Sequence, residues 1–442
     1  MQSASRLSDA RSALVPVARL AARVGLILAT GLLGIGEIGL SVPVGAQSPA
    51  RGVVTLTSQD PWVKSSSAPV QLGLIVHSSV AAKDLLVHVA LYTEPDKSSL
   101  ASRDEFEATL KGQLAGLNEL APITFSLNSI RSGHGLVDIY VGGSDLSGSV
   151  PAKTPTDRVF QLPCPARYGG CGGVYPLQVS LQDITTGLSL DSFTTYLIVV
   201  PSTVAPQRRL RFSFIVPVGS SIALSPAGVP VVPTKTTAQI DNLAREEALS
   251  PGVPLTVDLN GQTLLALARS QQPEKLVSKV ALGGLNNLVA APFSNVDPTR
   301  LVRSALQNEL TGQFLRDEAV FTRVLHLSKP AHVYVATVPV GPRGLVTLAG
   351  DGITDVVLGQ DNLESVAGNQ PSTVQWPYTL SAPFQIAGST VEGVQADAGL
   401  AAHLDGTANP VLRAQQLLAD LAEIYFDSPG YPLERGVVLV AP

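Results

Sequence analysis

The sequence has few charged residues, only two cysteines and no basic cluster, and each scarcity restricts what the protein can be. Charged residues make up 15% of the 442 residues, apolar residues 45%, and the formal net charge is −5. Such a composition supplies enough apolar side chains for a large core and argues against a disordered chain. The negative charge, without a basic patch, excludes nucleic acid as an expected partner.

Short catalytic and metal motifs are also missing. The chain contains no G-x-S-x-G nucleophile elbow and no H-x-x-x-H pair of the kind with which barrel-type carbohydrate deacetylases hold zinc. We therefore expect no metal and no cofactor. A literal G-x-G-x-x-G occurs at Gly34, Gly36 and Gly39, but a dinucleotide site needs a strand before this motif and a helix after it. Here the motif lies within an export signal, so we do not interpret it as a nucleotide site.

The first 46 residues have the order of a secretory signal. Four arginines between Arg6 and Arg23 precede an apolar run from Val24 to Ile35, and Val44-Gly45-Ala46 supplies small residues for cleavage. We expect cleavage after Ala46 and a location on the extracytoplasmic face of the membrane or in the cell wall. The alternative is an uncleaved membrane anchor.

The two cysteines, Cys164 and Cys171, are separated by six residues. In an oxidising compartment, two such cysteines are expected to form a disulfide. A zinc site would need two further ligands, and no histidine nearby supplies them. We therefore predict a disulfide.

Hydrophobic periodicity divides the mature chain into two domains. Residues 47–201 contain short alternating apolar segments between turn residues, which favour an antiparallel sheet with one wet face and predict an immunoglobulin-like β-sandwich. One helix, Arg103–Leu117, interrupts them. Residues 202–209 are rich in proline and small residues and form the predicted linker. The predicted strands of this domain are Val53–Leu56, Val70–His77, Leu85–Tyr92, Leu136–Val141, Leu177–Leu181 and Thr194–Val200.

Residues 210–442 show apolar strands that alternate with helical patterns. Seven such strands favour a (β/α) barrel-like domain, with an open flavodoxin-like or Rossmann-like sheet as the alternative. The last strand, near Pro442, has no helix or loop after it, so we expect the barrel to be incomplete and the protein to continue into a further domain and a membrane anchor. The predicted strands are Phe212–Val218, Leu255–Leu259, Leu288–Phe293, Val333–Val338, Asp355–Leu358, Val391–Ala396 and Val437–Val440, and the predicted helices are Ala238–Leu249, Leu264–Ser270, Pro298–Leu325 (one helix or two) and Pro410–Phe426.

Polar residues that follow these strands are the candidate site residues, because the carboxyl ends of parallel strands line one mouth of a barrel. Three carboxylates, Asp258, Asp361 and Asp397, are weak candidates for catalysis of the kind that glycosidases perform with paired acids. An aspartate at this position is also the common N-cap of a helix, the role that we predict for Asp297 before Pro298. The candidate binding residues are Asn260, Asn295, Gln360, Asn362 and His403.

Several segments together resemble an exported actinobacterial family known only as domain of unknown function 6049. The segments that carry the resemblance are Leu56-Thr57-Ser58 with Pro61-Trp62-Val63, Gly173–Leu177, Thr194–Leu197 before Val200-Pro201, Pro254–Asp258, Pro292–Asp297 and Leu417–Pro442. Two positions depart from the family pattern, since Leu259 stands where the family has proline and Asn295 stands where it has an acid.

The resemblance implies a signal, a β-sandwich, a barrel-like domain and a role near peptidoglycan assembly, because genes of the family often neighbour one for a lipid II flippase. We therefore expect a protein that binds cell-wall glycan or envelope proteins without established catalysis. The alternative is a carbohydrate-active enzyme, either a glycoside hydrolase or a deacetylase relative, that uses carboxylates at the barrel mouth. We expect membrane contact only through an uncleaved signal or a C-terminal anchor.

Overall fold

The computed structural model describes two units, an antiparallel unit (residues 52–200 and 406–427) and a parallel unit (residues 210–405 and 435–442). The predicted signal and both cysteines lie outside the described residues. Those residues are 52–64, 70–78, 80–96, 98–120, 122–127, 136–141, 172–200, 210–219, 222–227, 230–249, 253–269, 287–326, 331–359, 362, 366, 384–385, 391–406, 408–427 and 435–442.

The described strands and helices are numbered here in chain order. The strands of the antiparallel unit are β1 (Gly52–Gln59), β2 (Val70–Ser78), β3 (Leu85–Thr93), β4 (Asn118–Glu119), β5 (Ile123–Ser126), β6 (Leu136–Val141), β7 (Gly173–Asp183) and β8 (Ser189–Val199). Those of the parallel unit are β9 (Leu210–Pro217), β10 (Ala223–Leu224), β11 (Pro230–Val231), β12 (Thr256–Asp258), β13 (Asn287–Leu288), β14 (Val333–Val335), β15 (Asp355–Gly359), β16 (Phe384–Gln385), β17 (Glu392–Ala396) and β18 (Arg435–Val440). The helices are α1 (Arg103–Leu110), α2 (Thr234–Leu249), α3 (Gly261–Arg269), α4 (Pro298–Arg303), α5 (Gln307–Leu325), α6 (Pro342–Gly350), α7 (Ala398–Ala402) and α8 (Pro410–Asp427), and a 3-10 turn covers Ala82–Asp84.

Two antiparallel sheets form the antiparallel unit. One has the order β1-β2-β6, and the other has the order β4-β3-β7-β8 with β5 beside β3. Alternate residues of the strands point into a single buried cluster, to which the first sheet contributes Leu56 and Leu72 and the second contributes Val89 and Leu177. This alternation is the pattern that the sequence predicted for the strands, and it arises because successive side chains of a strand face opposite sides.

Helix α8 packs on the antiparallel unit, so the prediction that the helix Pro410–Phe426 belongs to the barrel-like domain is wrong. Asn409 donates from Nδ2 to the carbonyl of Leu56 at 2.6 Å, and Gln415 donates to the carbonyl of Tyr196 at 3.1 Å. Ala419 lies in a buried cluster with Phe106 of α1 and with Tyr196. Periodicity predicted the helix and its apolar face, but it carries no information on which surface that face covers.

The parallel unit is built on one sheet in the order β13-β12-β9-β18-β17-β15-β14. All of these strands run parallel, and β16 adds an antiparallel pair to β17. Each of the seven predicted strands of this domain is present, although β12, β13 and β14 are shorter than expected. Mixed α/β architecture with antiparallel sheets and a parallel sheet is therefore the fold class.

The parallel sheet is strongly curled. Residues beside its two outermost strands, β13 and β14, hydrogen-bond to each other: the amide of Ala331 donates to Leu288 at 2.8 Å and the amide of Ala290 donates to Ala331 at 3.0 Å. One face of the sheet forms a shared apolar cluster that includes Ile215, Val289 and Val357. We call this concave side the inner face.

Helices cover the opposite face of the same sheet. Leu310 of α5 and Leu345 of α6 pack against Tyr334 and Val356, which alternate with the inner-face residues. The predicted helical stretch from Pro298 to Leu325 consists of two helices, α4 and α5, separated at Ala305, whose φ is 55°. No helix in the described part of the chain is long and apolar enough to cross a membrane.

Candidate functional site

Asp258 occupies the carboxyl end of β12 and points to the inner face of the parallel sheet. In the parallel register Thr256 lies beside Ile215 and Asp258 lies beside Pro217, so Thr256 and Asp258 share the face of the Ile215 cluster. Ligand sites of parallel α/β folds lie at this end of the strands. Asp258 remains partly exposed, while its chain neighbour Leu259 is 1% exposed.

Asp258 is enclosed by enough protein to change its acidity. Burial raises the pKa of the Asp258 carboxyl to about 7. A carboxylic acid that is surrounded by protein but still reaches solvent can donate a hydrogen bond or a proton near neutral pH.

A second carboxylate, Asp317 of α5, lies close enough to Asp258 to interact with its charge. It is 1% exposed, and its carboxylate accepts hydrogen bonds from the amides of Gly261 and Ala291. Burial and the charge of Asp258 together raise the pKa of Asp317 to about 8, although the two amides act in the opposite direction. Asp317 is therefore enclosed by protein and cannot contact a ligand directly.

Glycine is required where α3 passes α5. A Cβ on Gly261 would lie 2.7 Å from Oδ1 of Asp317 and 3.1 Å from Cδ2 of Phe293. The absence of a side chain lets the first amide of α3 reach the Asp317 carboxylate. The next amide, of Gln262, donates to the carbonyl of Phe293 at 2.8 Å.

Tyr334 of β14 also interacts electrostatically with Asp258. Its side chain is buried, with its ring edge-on to Phe314 at a centroid distance of 6.2 Å. Burial raises the pKa of its phenol, and the charges of Asp258 and Asp297 add to the effect. The ends of β12, β13 and β14 thus form one electrostatically connected region.

Two aspartates that follow strands, the predicted cap Asp297 and the candidate Asp397, act as helix N-caps. Asp297 accepts from the amide of Arg300 at 3.0 Å at the start of α4, as the sequence predicted. Asp397, which is 3% exposed, accepts from the amide of Leu400 at 2.9 Å at the start of α7. Both carboxylates therefore serve helix starts.

The candidate amides and the histidine also have structural roles or lie elsewhere. Asn260 caps α3 by accepting from the amide of Thr263 at 2.8 Å. Asn362 exchanges two hydrogen bonds with the backbone of Val340, at 2.8 and 3.1 Å. His403 is 7% exposed at the end of α7, and Asn295 is exposed in the loop before α4. Gln360 and Asp361 lie outside the described residues.

Among the carboxylates predicted for the site, Asp258 is the one that the described residues show partly exposed on the inner face. Asp317 was not predicted. The signal for Asp317 is present in the sequence: it falls on the apolar stripe of α5, between Leu310 and Phe321 at helical spacing. A charged residue on such a stripe is rare enough to mark a position of interest. Within the described part of the chain, no group of three or more histidine, cysteine or acidic residues could hold a metal ion.

Comparison with known proteins adds only distant similarities. No family model matches the chain, and no curated protein matches it. Among solved structures, a calcium-binding mutant of Bacteroides uniformis β-glucuronidase 2 is similar at 12% identity and a TM-score of 0.20, over 70% of this chain and 36% of that chain. The Parabacteroides merdae β-glucuronidase is similar at 9% identity and a TM-score of 0.19, over 70% of this chain and 40% of that one. This chain thus spans less than half the length of either enzyme, and likenesses of this size carry no argument about function.

Proposed function

We propose that the chain is an exported cell-envelope protein that binds cell-wall glycan at the carboxyl ends of its parallel strands, with Asp258 as the central contact. The observation that carries this proposal is the position of Asp258. It lies at the strand ends, on the face that carries the apolar inner cluster, and is partly exposed.

The chemistry of Asp258 suits a ligand rich in hydroxyl groups. Because its pKa is about 7, both protonation states are populated near neutral pH. A sugar hydroxyl can donate to the ionised carboxylate and accept from the protonated one, so it satisfies either state. The apolar side chains around Asp258 suit the C–H faces of a sugar ring.

The finer architecture belongs to this proposal. We interpret the parallel unit as an incomplete (β/α) barrel-like domain, which is supported by the hydrogen bonds between Ala331 and residues 288–290 and by the shared inner cluster. We interpret the antiparallel unit as an immunoglobulin-like sandwich, which is supported by the single cluster that its two sheets share. Membership in the family of domain 6049 and the envelope location are supported by the sequence segments and the N-terminal signal described above.

Hydrolysis of a glycan is the second candidate, and the raised pKa of Asp258 favours it because a general acid must hold a proton near neutral pH. The mechanism also needs a second carboxylate facing the same cleft. Among the described residues Asp317 is enclosed, while Asp297 and Asp397 cap helices. Binding is therefore the better-supported function.

The test measures binding of solubilised cell-wall glycan strands to the full chain by calorimetry at pH 8, where a carboxyl with a pKa of about 7 is mostly ionised. We expect Asp258→Asn to weaken binding about tenfold or more, the usual effect of losing a hydrogen bond to a charged or acidic group. The matched control is Asp355→Asn, because Asp355 begins β15 at the opposite end of the sheet while sharing the inner-face register. The control should bind like the parent protein.

Two results would change the assignment. Equal binding by the parent and Asp258→Asn would refute the site. Release of reducing ends by the parent, and not by Asp258→Asn, would replace binding with hydrolysis.

A further inference from the structure

Helix α5 contacts the carboxyl ends of β12 and β13 with two buried side chains, Gln313 and Asp317. They lie one helical turn apart and are 7% and 1% exposed. The Asp317 carboxylate accepts hydrogen bonds from the amide of Gly261, at the start of α3, and from the amide of Ala291, after β13. Since Gly261 comes three residues after Asp258, one carboxylate joins the chain beside Asp258 to the neighbouring strand end.

Gln313 adds hydrogen bonds to the same two segments. Its Oε1 accepts from the amide and from Oγ of Ser294, at 3.0 and 2.9 Å, and its backbone carbonyl accepts from the amide of Phe293 at 3.1 Å. The carbonyl of Phe293 accepts in turn from the amide of Gln262, the second residue of α3, at 2.8 Å. The segment after β13 and the start of α3 are therefore bonded to each other, and α5 holds both.

Asp317 also interacts with Asp258 through charge. Among the described groups, Asp258 is the one whose charge acts on the pKa of Asp317. The interaction is reciprocal, so a charge on Asp317 raises the pKa of Asp258 in turn. The other titratable groups on α5 and on the elements that pack against it are Arg269 of α3, Asp297 before α4, Arg300 and Arg303 of α4, Tyr334 of β14, Arg343 of α6, Asp351 after α6, Glu309, Arg316, Glu318 and Arg323 of α5, and His326 at its end.

We propose that Asp317 is a positioning residue of the glycan site, which holds the chain beside Asp258 in place and sets the pH range in which Asp258 is ionised for its ligand. This inference rests on the proposed binding of glycan at Asp258. An ionised carboxylate accepts a stronger hydrogen bond from a sugar hydroxyl than a protonated carboxyl does. Glycan affinity should therefore rise as Asp258 loses its proton, and the charge of Asp317 helps to determine the pH of that rise.

The experiment measures the affinity of the full chain for solubilised cell-wall glycan strands by calorimetry across the range from about pH 5.5 to about pH 8.5. In the parent we expect a rise of roughly fivefold to tenfold, centred near the Asp258 pKa of about 7. Asp317→Asn removes the charge but keeps an oxygen that can accept from both amides, so the rise should move to lower pH by on the order of half a unit. The matched control is Glu318→Gln, which removes a charge from the next residue of α5, a partly exposed position. Its pH profile should coincide with that of the parent.

A second measurement needs no ligand. Carbon-13 NMR of the full chain, labelled at its aspartate carboxyls, follows the ionisation of Asp258, whose signal is identified by its loss in Asp258→Asn. The midpoint of this signal should move to lower pH in Asp317→Asn and stay unchanged in Glu318→Gln. A check that leaves Asp317 in place is the converse change, since the Asp317 signal, expected to titrate near pH 8, should titrate at lower pH in Asp258→Asn.

The two measurements separate this inference from the function on which it rests. If glycan binds at Asp258 but neither carboxyl changes its titration when the other is replaced, the role of Asp317 is refuted and the glycan site stands. If the titrations are coupled but the parent binds no glycan at any pH, the proposed function is refuted, and the role of Asp317 in a glycan site with it.

Discussion

Asp420 in the antiparallel unit and the pair Asp258 and Asp317 in the parallel unit are enclosed by protein in opposite ways. In the antiparallel unit Asp420 of α8, 2% exposed, accepts two hydrogen bonds from Arg103 of α1, at 2.7 Å from Nε and 2.9 Å from Nη2. In the parallel unit, Asp258 and Asp317 have no ion pair among the described residues, and the pKa of each is raised, to about 7 and about 8.

This difference separates a structural carboxylate from a candidate functional one. A buried carboxylate with an arginine in bidentate geometry stays charged and fixes two helices together. A carboxylate that is buried without a cation keeps its proton to near neutral pH, which costs stability once the proton is lost. Such groups concentrate at functional sites, so Asp258 is the better site candidate and Asp420 the better anchor.

The largest expected effect is the loss of the anchor. We expect Arg103→Ala to destabilise the antiparallel unit by about 3–5 kcal/mol, because it leaves Asp420 buried without its partner. Urea denaturation followed by tryptophan fluorescence measures it, since one of the two tryptophans, Trp62, lies beside the buried cluster that includes Ala419 of α8.

The control for this change is Arg316→Ala in the parallel unit. Arg316 pairs with Glu309 at 2.9 Å, but the two side chains are 56% and 42% exposed, so the loss should stay below about 1 kcal/mol. Comparable losses in the two variants would show that burial does not distinguish these pairs.

Most of the sheet could be predicted from the sequence, and the site could be predicted only in part. Most of the parallel strands carry runs of apolar residues, whereas the antiparallel ones alternate, so local patterns indicate the type of each sheet. They do not give the order of the strands. The placement of α8 depends on long-range partners such as Arg103 with Asp420, which are 317 residues apart. Aspartates at strand ends look alike in sequence, yet Asp397 caps a helix while Asp258 faces the interior. Only tertiary contacts distinguish them.

A smaller effect tests the close approach that positions Asp317. Gly261→Ala would place a Cβ against the carboxylate and Cα of Asp317 and the ring of Phe293, and we expect a loss of about 1–3 kcal/mol. Gly312→Ala is the control, because a Cβ there would meet only the end of Arg316, at 3.9 Å, and alanine favours a helix interior by about 0.5–1 kcal/mol. The two variants should therefore shift the urea midpoint in opposite directions. A stabilising Gly261→Ala would disprove the tight contact.

The smallest expected effect is the pH dependence of stability that the two unpaired acids produce. Their folded pKa values, about 7 for Asp258 and about 8 for Asp317, lie above the ordinary value of 3.8. Between about pH 4 and 8 the folded protein therefore holds more protons than the unfolded chain, so stability is greatest at the acid end of this window and falls as the pH rises. We expect each acid to contribute a loss on the order of 1 kcal/mol between pH 6 and pH 7, since one group contributes at most about 1.4 kcal/mol per pH unit. Urea midpoints of the parent should fall across this interval.

The urea midpoints of Asp258→Asn should fall less, because the variant removes one titrating group and also the charge that helps to raise the pKa of Asp317. If the urea midpoints of the parent, Asp258→Asn and Asp317→Asn fall equally with pH, these carboxyls are ionised in the folded protein. The contrast with Asp420 would then disappear.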